Sequence, residues 1–223
     1  MVGYYNYTVW LTYISILLAT FGIGILIVDV NNSTNYAILC LLVCGALDMF
    51  DGKVARTKKD RTEIEKCNGI QIDSLSDLLA FGVLPASISL RLFLNNNNLV
   101  THKWYFIVIV LILLIYVLFG LIRLGYFNAL ENERCKVENE PLKYFTGMPI
   151  TMASFFLPIV YLLKFTSLTL FTFSWIYIIS LAIVGLLFVL KIKVPKASKK
   201  MVIGFTIFGV LFLTLFIILI VIK

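Results

Sequence analysis

Four aspartates stand in two helix-spaced pairs within a very apolar chain. Asp48 and Asp51 are three residues apart, and Asp73 and Asp77 are four apart. These spacings place each pair on one face of a helix, with Cβ atoms about 5–6 Å apart. Carboxylates that continue apolar runs long enough to lie in a bilayer are costly unless they are paired, hydrated or bound to cations. The four aspartates therefore predict a site that binds divalent metal.

The residues around the aspartates indicate which chemistry the metal would serve. Ligand sets made only of carboxylates suit hard ions such as Mg²⁺ or Mn²⁺. Two such ions can clamp a transferring phosphoryl group and orient the attacking and leaving oxygens. Arg56 offers a fixed-charge fork suited to a pyrophosphate, and Gly52 and Gly69 let a ligand approach the backbone closely. The pattern favours group transfer from a phosphoanhydride over ion conduction.

The composition predicts where these residues are held. Of the 223 residues, 61% are apolar and only 14% are charged, and the mean hydropathy is +0.98. Soluble domains are nearer half apolar and a quarter charged. We expect an all-α integral membrane protein, a polytopic helical bundle in which residues 1–223 form a single transmembrane domain. With about 20 apolar residues needed per span, the spans are predicted at roughly 9–29, 36–52, 70–94, 104–127, 148–165, 170–190 and 202–222.

Two other kinds of site are disfavoured by the residues themselves. The four cysteines form no CxxC pair, and His102 is the only histidine of the chain. A zinc site or a histidine-dependent catalytic triad would have almost nothing to use.

The basic residues predict the orientation of the spans. Fifteen of the 19 Lys and Arg residues lie after spans two, four and six or at the ends of those spans, which is one side if the spans alternate. An excess of Lys and Arg marks cytoplasmic loops, so the four aspartates are predicted just inside the cytoplasmic face. The net charge of +7 is then a topology signal and an attraction to anionic lipids rather than to nucleic acid.

The chain resembles the CDP-alcohol phosphotransferases in the spaced pattern Asp48-x2-Asp51-Gly52-x2-Ala55-Arg56-x12-Gly69-x3-Asp73-x3-Asp77. The gap between Arg56 and Gly69 is four residues longer than is usual in that family. This insertion lies within 57–68, where the family contacts the nucleotide, and Thr62 is a candidate for that contact.

Further stretches are similar to the bacterial and archaeal branch of that family that uses serine as the acceptor. They are Asp73-Ser74-Leu75-Ser76-Asp77 with its continuation to Ala86, Arg123-Leu124-Gly125-Tyr126-Phe127-Asn128, Phe145-Thr146-Gly147-Met148-Pro149 and Val194-Pro195-Lys196. Tyr126 stands where a second Arg is usual in this branch.

The resemblance implies a fold of six core helices, with the apolar segment at about 202–222 as a seventh, C-terminal span. It implies two divalent cations, Mg²⁺ or Mn²⁺, one held by Asp48, Asp51 and Asp73 and the other by Asp48, Asp73 and Asp77. Asp77 would also be the general base on the hydroxyl of L-serine, which attacks CDP-diacylglycerol and expels CMP. The nucleotide and pyrophosphate would lie against Gly52, Ala55, Arg56 and Gly69. The resemblance also implies a homodimer among the membrane lipids of a bacterial or archaeal cell membrane.

Three points stay open in the sequence. Arg123 and Asn128 are candidates for binding the acceptor by position and charge only. The acceptor could instead be glycerol 3-phosphate or inositol phosphate, although a phosphorylated acceptor favours more than one basic residue where this chain has Arg123 and Tyr126. A cation-coupled transporter, with the aspartates as a relay, is the remote alternative from another class.

Overall fold

The predicted apolar stretches form helices in a computed structural model of the protein. The structure describes residues 7–28, 30–55, 57–58, 60, 62–96, 103–136, 144–195, 209 and 211–220. The helices are α1 (Trp10–Val28), α2 (Ser33–Ala55), α3 (Glu63–Asp77), α4 (Leu84–Leu94), α5 (Lys103–Lys136), α6 (Ala153–Tyr161), α7 (Leu170–Val189) and α8 (Leu211–Ile220). A π-helix, Leu78–Val83, joins α3 to α4, and two short strands, β1 (Tyr144–Thr146) and β2 (Lys193–Pro195), pair antiparallel.

The helices confirm the predicted class of fold. Within the described ranges, four are long and apolar enough to cross a membrane: Tyr7–Val28, Glu63–Leu94, Trp104–Leu130 and Leu170–Val189. Ile150–Phe165 and Leu211–Ile220 are shorter apolar helices. Helix α2 has 23 residues, which is sufficient length for a span, and it carries its acidic residues near its end. The chain is therefore a polytopic helical membrane protein.

Several boundaries differ from the predicted ones. Helix α3 begins at Glu63 rather than near residue 70, because Thr62 caps it, and α5 continues to Lys136 rather than ending near residue 127. Hydropathy marks the part of a helix that suits lipid, whereas the helix itself continues into polar sequence where its backbone is capped. The predicted span at 148–165 is a 3₁₀ turn, helix α6 and a second 3₁₀ turn. Of the predicted span at 202–222, only 209 and 211–220 lie within the described residues.

Helices α1 and α2 pack along each other through small side chains. The buried face of α1 consists of Thr12, Ser15, Ala19, Gly22 and Leu26, spaced alternately by three and four residues. Small residues let two helices approach closely, which replaces the hydrophobic driving force that is missing in lipid. Near the middle of this interface, Cys44 Sγ of α2 lies 3.4 Å from the carbonyl oxygen of Ser15. The packing fixes the height of α2, and hence of its aspartates, relative to α1.

Contacts between non-neighbouring segments define two ends of the bundle. At the first, which we call the aspartate end, Tyr7 contacts Thr57, Ser74 contacts Asn128, and β1 pairs with β2. At the opposite end, Thr34 and Asn35 contact Lys164, and Ser174 contacts the carbonyl of Leu92. Since α3, the π-helix and α4 form one continuous span, successive spans from α1 to α7 therefore run alternately up and down. The segments that follow α2, α5 and α7 meet at the aspartate end.

Candidate active site

Helices α2 and α3 bring the four aspartates together at the aspartate end. The carboxylate oxygens of Asp48, Asp73 and Asp77 lie within 4.8 Å of one another. The carboxyl group of Asp51 is in side-chain hydrogen-bond contact with that of Asp73. All four side chains are half-buried. The two pairs that the sequence placed on separate helix faces thus form one cluster.

The donor set of this cluster fits a hard divalent cation. Mg²⁺ and Ca²⁺ bind carboxylate oxygens at about 2.0–2.6 Å, so oxygens on either side of one ion stand roughly 4–5 Å apart. The spacing of the three carboxylates is of that size. Four neighbouring carboxylates repel one another unless a cation or protons intervene. Among the described residues, the ion pairs are Lys58–Glu65 and Lys66–Glu63, and neither reaches the four aspartates. The cluster could therefore hold metal, as the sequence predicted.

Residues with little or no side chain lie one helical turn from the aspartates. Gly52 is four residues after Asp48, and Ala55 is four residues after Asp51, near the end of α2. Gly69 is four residues before Asp73 on α3. Positions four apart share a helix face, so these three small residues lie on the same helix faces as the carboxylates. Arg56, the predicted pyrophosphate contact, lies outside the described residues.

The segment 57–68 contains the start of α3. Thr62 is the N-cap: its Oγ1 accepts the backbone N–H of Glu65 at 3.2 Å, while the Glu65 carboxylate accepts the N–H of Thr62 at 3.1 Å. This reciprocal pair is a capping box, which satisfies two helix-end donors. Lys58 also pairs with Glu65 at 3.2 Å. The side chain of Thr62, a candidate for the nucleotide contact, thus stabilises the start of the helix that carries Asp73 and Asp77.

Of the two predicted acceptor residues, Asn128 is brought to the aspartate-bearing helix. Ser74 Oγ lies 2.9 Å from Asn128 Oδ1 and 3.0 Å from the carbonyl oxygen of Ile70. Ser74 directly follows Asp73 in the chain, so Asn128 stands beside the carboxylate cluster. Sequence reasoning gave Ser74 no role. The signal was present, since Ser74 is a polar residue between Asp73 and Asp77 on the same helix.

Arg123, the other predicted acceptor residue, contacts the turn that follows β1. The side chain is buried, its Nε donates to the carbonyl of Met148 at 3.0 Å, and its guanidinium stands over the ring of Phe127. Gly147, next to Met148, has φ +83°, which side-chain-bearing residues rarely adopt. Arg123 therefore holds the turn after β1 against α5.

Two motif fragments that are distant in sequence meet through the strands. Phe145 lies opposite Val194 in the β1–β2 pair, and the N–H of Gly147 donates to the carbonyl of Ile192 at 2.7 Å. The stretches around Phe145 and Val194 are far apart in the chain. Their pairing closes the segments after α5 and α7 into one unit at the aspartate end.

Comparison with known proteins gives a family match over most of the chain. The family model described as CDP-alcohol phosphatidyltransferase matches residues 5–187. An archaetidylserine synthase of Methanothermobacter thermautotrophicus is 32% identical over 154 residues, which are 69% of this chain and 58% of that protein. The CDP-diacylglycerol–serine O-phosphatidyltransferase of Helicobacter pylori is 28% identical over 181 residues, covering 79% of this chain and 68% of that protein. The Bacillus subtilis protein of the same name is 30% identical over 165 residues, covering 73% and 76%.

The matches do not extend over the whole length of every relative. The chain spans only 58% of the length of the archaeal synthase. The family model ends at residue 187, so helix α8 lies beyond the matched region.

Proposed function

The chain belongs to the CDP-alcohol phosphatidyltransferase family, and from this membership we propose that it transfers the phosphatidyl group of CDP-diacylglycerol to the hydroxyl of L-serine, releasing CMP. The observation that carries the proposal is the carboxylate cluster of Asp48, Asp51, Asp73 and Asp77 on two facing helices. Serine is favoured as the acceptor because the relatives in Helicobacter pylori and Bacillus subtilis are named for it.

The cluster would hold two divalent cations, Mg²⁺ or Mn²⁺, by carboxylate oxygens alone. One set would be Asp48, Asp51 and Asp73, and the other Asp48, Asp73 and Asp77. When bound, these cations would neutralise the pyrophosphate and stabilise the charge that develops on the transferring phosphoryl group.

The residues of the chain would then perform the remaining steps. Asp77 takes the proton of the serine hydroxyl, and the serine oxygen forms a bond to the phosphorus that carries diacylglycerol. The bond from that phosphorus to the bridging oxygen breaks, and CMP leaves with the electron pair. Gly52, Ala55 and Gly69 leave room for the nucleotide beside the helices, and the Arg56 fork would hold the pyrophosphate.

The acceptor would lie between the cluster and α5. Asn128 Oδ1 accepts from Ser74, so the amide NH₂ group of Asn128 supplies the donors for the serine carboxylate. Arg123 would contribute through its terminal guanidinium nitrogens, since its Nε already donates to Met148. Glycerol 3-phosphate and inositol phosphate stay as alternative acceptors.

We propose further that the aspartate end faces the cytoplasm of a bacterial or archaeal cell. The Lys and Arg bias of the segments after α2, α5 and α7 supports this orientation. Water-soluble serine would enter from that side, while the lipid donor would enter laterally from the membrane. The homodimer that the resemblance implies stays a prediction, as does the single-domain organisation of residues 1–223.

A second donor is favoured by one comparison. The archaeal relative is named archaetidylserine synthase, so a CDP-activated archaeal lipid is the alternative to CDP-diacylglycerol. The transporter alternative fits less well, because the four carboxylates lie together at one end of the bundle.

The test uses the purified full chain with Mn²⁺ or Mg²⁺, either lipid donor, and serine, glycerol 3-phosphate or inositol phosphate as acceptor. CMP release is the readout. We expect release that requires both metal and serine. Release with glycerol 3-phosphate but not with serine would refute the acceptor, and no release from folded protein with any acceptor would refute the enzymatic proposal.

A further inference from the structure

The helix that carries Asp73 and Asp77 contains a proline soon after the site. In an α-helix, the carbonyl of Phe81 accepts the backbone N–H of residue 85, four positions later. Residue 85 is proline, which has no N–H and whose ring clashes with the carbonyl of the residue four positions before it. Phe81 is fully buried. In α-helical register its carbonyl therefore has no donor four residues later, and a buried carbonyl is normally hydrogen-bonded.

Between the site and the proline, the helix changes from α-helical to π-helical hydrogen bonding. Residues Leu78–Val83 are π-helical, and the N–H of Leu84 donates to the carbonyl of Leu79, five positions back. π-Helical turns are rare and occur frequently at functional sites. This one begins directly after Asp77, so it sets the rotation of the aspartate-bearing part of the helix relative to the part that packs in the core.

Tyr116 of α5 supplies the missing donor. Its hydroxyl donates to the carbonyl oxygen of Phe81 at 2.6 Å, and its side chain is buried. The ring lies 5.7 Å from that of Phe188. Gly185 of α7 leaves the space that the ring occupies, since a Cβ there would stand 2.9 Å from Cδ2 of Tyr116. Neighbouring helices commonly satisfy the backbone groups that proline frees in a membrane helix.

We infer that Tyr116 is a positioning residue for the carboxylate cluster. By holding the Phe81 carbonyl, its hydroxyl fixes the π-helix, and the π-helix fixes the direction of the Asp77 carboxylate towards Asp48 and Asp73. The inference rests on the proposed function for its catalytic consequence. Its structural consequence, the affinity of the cluster for metal, is measured separately.

The experiment compares Tyr116→Phe with Tyr177→Phe in the full chain. Tyr177 is a matched control, because it is also fully buried and its hydroxyl has no hydrogen-bond partner within the described part of the chain. Mn²⁺ affinity is measured by electron paramagnetic resonance of the free ion, without substrate. The kcat and the KM for serine are measured by CMP release.

For Tyr116→Phe, we expect Mn²⁺ affinity and kcat to fall by roughly three- to tenfold each, the worth of about one buried hydrogen bond. We expect the KM for serine to stay unchanged, and Tyr177→Phe to match wild type in both quantities. Wild-type Mn²⁺ affinity in Tyr116→Phe would overturn the inference, and so would an equal loss in Tyr177→Phe. Failure of the proposed function would instead be seen in wild-type protein that binds Mn²⁺ but releases no CMP.

Discussion

The polar groups at the two ends of the bundle differ in whether the protein itself supplies their partners. At the opposite end, the ammonium of Lys164 donates to Thr34 Oγ1, Asn35 Oδ1 and the Tyr161 hydroxyl at 2.8–2.9 Å. At the aspartate end, Asp48, Asp51, Asp73 and Asp77 face one another instead. The first cluster is satisfied by partners within the protein, whereas like charges of the second need a ligand. Satisfied polar networks stabilise a fold. We therefore expect the Lys164 cluster to contribute to stability and the aspartate end to contribute to catalysis.

The largest effect is expected for Asp77→Asn at the aspartate end. The amide keeps the shape of the side chain but cannot take a proton, so we expect kcat to fall by at least about 100-fold. The measurement is CMP release with saturating serine and donor. Asp60→Asn, the same change at an exposed position outside the cluster, should retain wild-type activity. Turnover close to wild type in Asp77→Asn would remove Asp77 as the base.

Asp51→Asn asks whether the cluster is organised around metal. The amide can still hydrogen-bond to Asp73 while removing one negative charge, so the metal-free protein should unfold at the same or a higher temperature. We expect Mn²⁺ affinity to weaken by at least about tenfold, which is 1.4 kcal/mol of binding free energy. The midpoint of thermal unfolding with and without Mn²⁺ measures both effects. A variant that Mn²⁺ stabilises as strongly as wild type would contradict the assignment.

Asn128→Ala tests whether the catalytic role of the aspartate end extends to α5. We expect the KM for serine to rise about tenfold, the worth of roughly one hydrogen bond to a charged group. The KM for the lipid donor should not change. Asn95→Ala, at the end of α4, is the control and should leave both constants unchanged. If the two KM values rose together in Asn128→Ala, its side chain would serve the fold and not the acceptor.

Lys164→Met tests the end opposite the aspartates, where the smallest effect on activity is expected. Removing the ammonium leaves buried oxygens of Thr34 and Asn35 with one donor fewer, which should lower the free energy of unfolding by about 1–3 kcal/mol. The kcat should be unchanged at a temperature where the variant is folded. Lys191→Met, at an exposed lysine, should alter neither. Loss of activity without loss of stability in Lys164→Met would show that this end also contributes to catalysis.

Much of the aspartate end was predictable because its signals are local. Spacings of three and four residues place Asp48 with Asp51 and Asp73 with Asp77 whatever the rest of the fold does. The apolar runs predicted the helices for the same reason, since an isolated span must satisfy its own backbone in lipid. The start of α3 at Glu63 was missed because hydropathy does not report the capping box of Thr62 and Glu65.

Other features were decided by tertiary contacts. Arg123 and Asn128 looked equivalent in sequence, yet Asn128 stands against Ser74 while Arg123 holds the turn at Met148. Which segment each one meets depends on how α5 is rotated against α3 and β1, and a single helix does not encode that rotation.

Composition and residue spacing were sufficient to predict a membrane bundle with two helix-spaced pairs of carboxylates, because both act within a single segment of the chain. The distances within the cluster, at most 4.8 Å between oxygens of Asp48, Asp73 and Asp77, and the hydrogen bond from Tyr116 to the Phe81 carbonyl came from the tertiary structure. Both outcomes depend on distances between segments far apart in the chain, which packing sets and spacing alone does not.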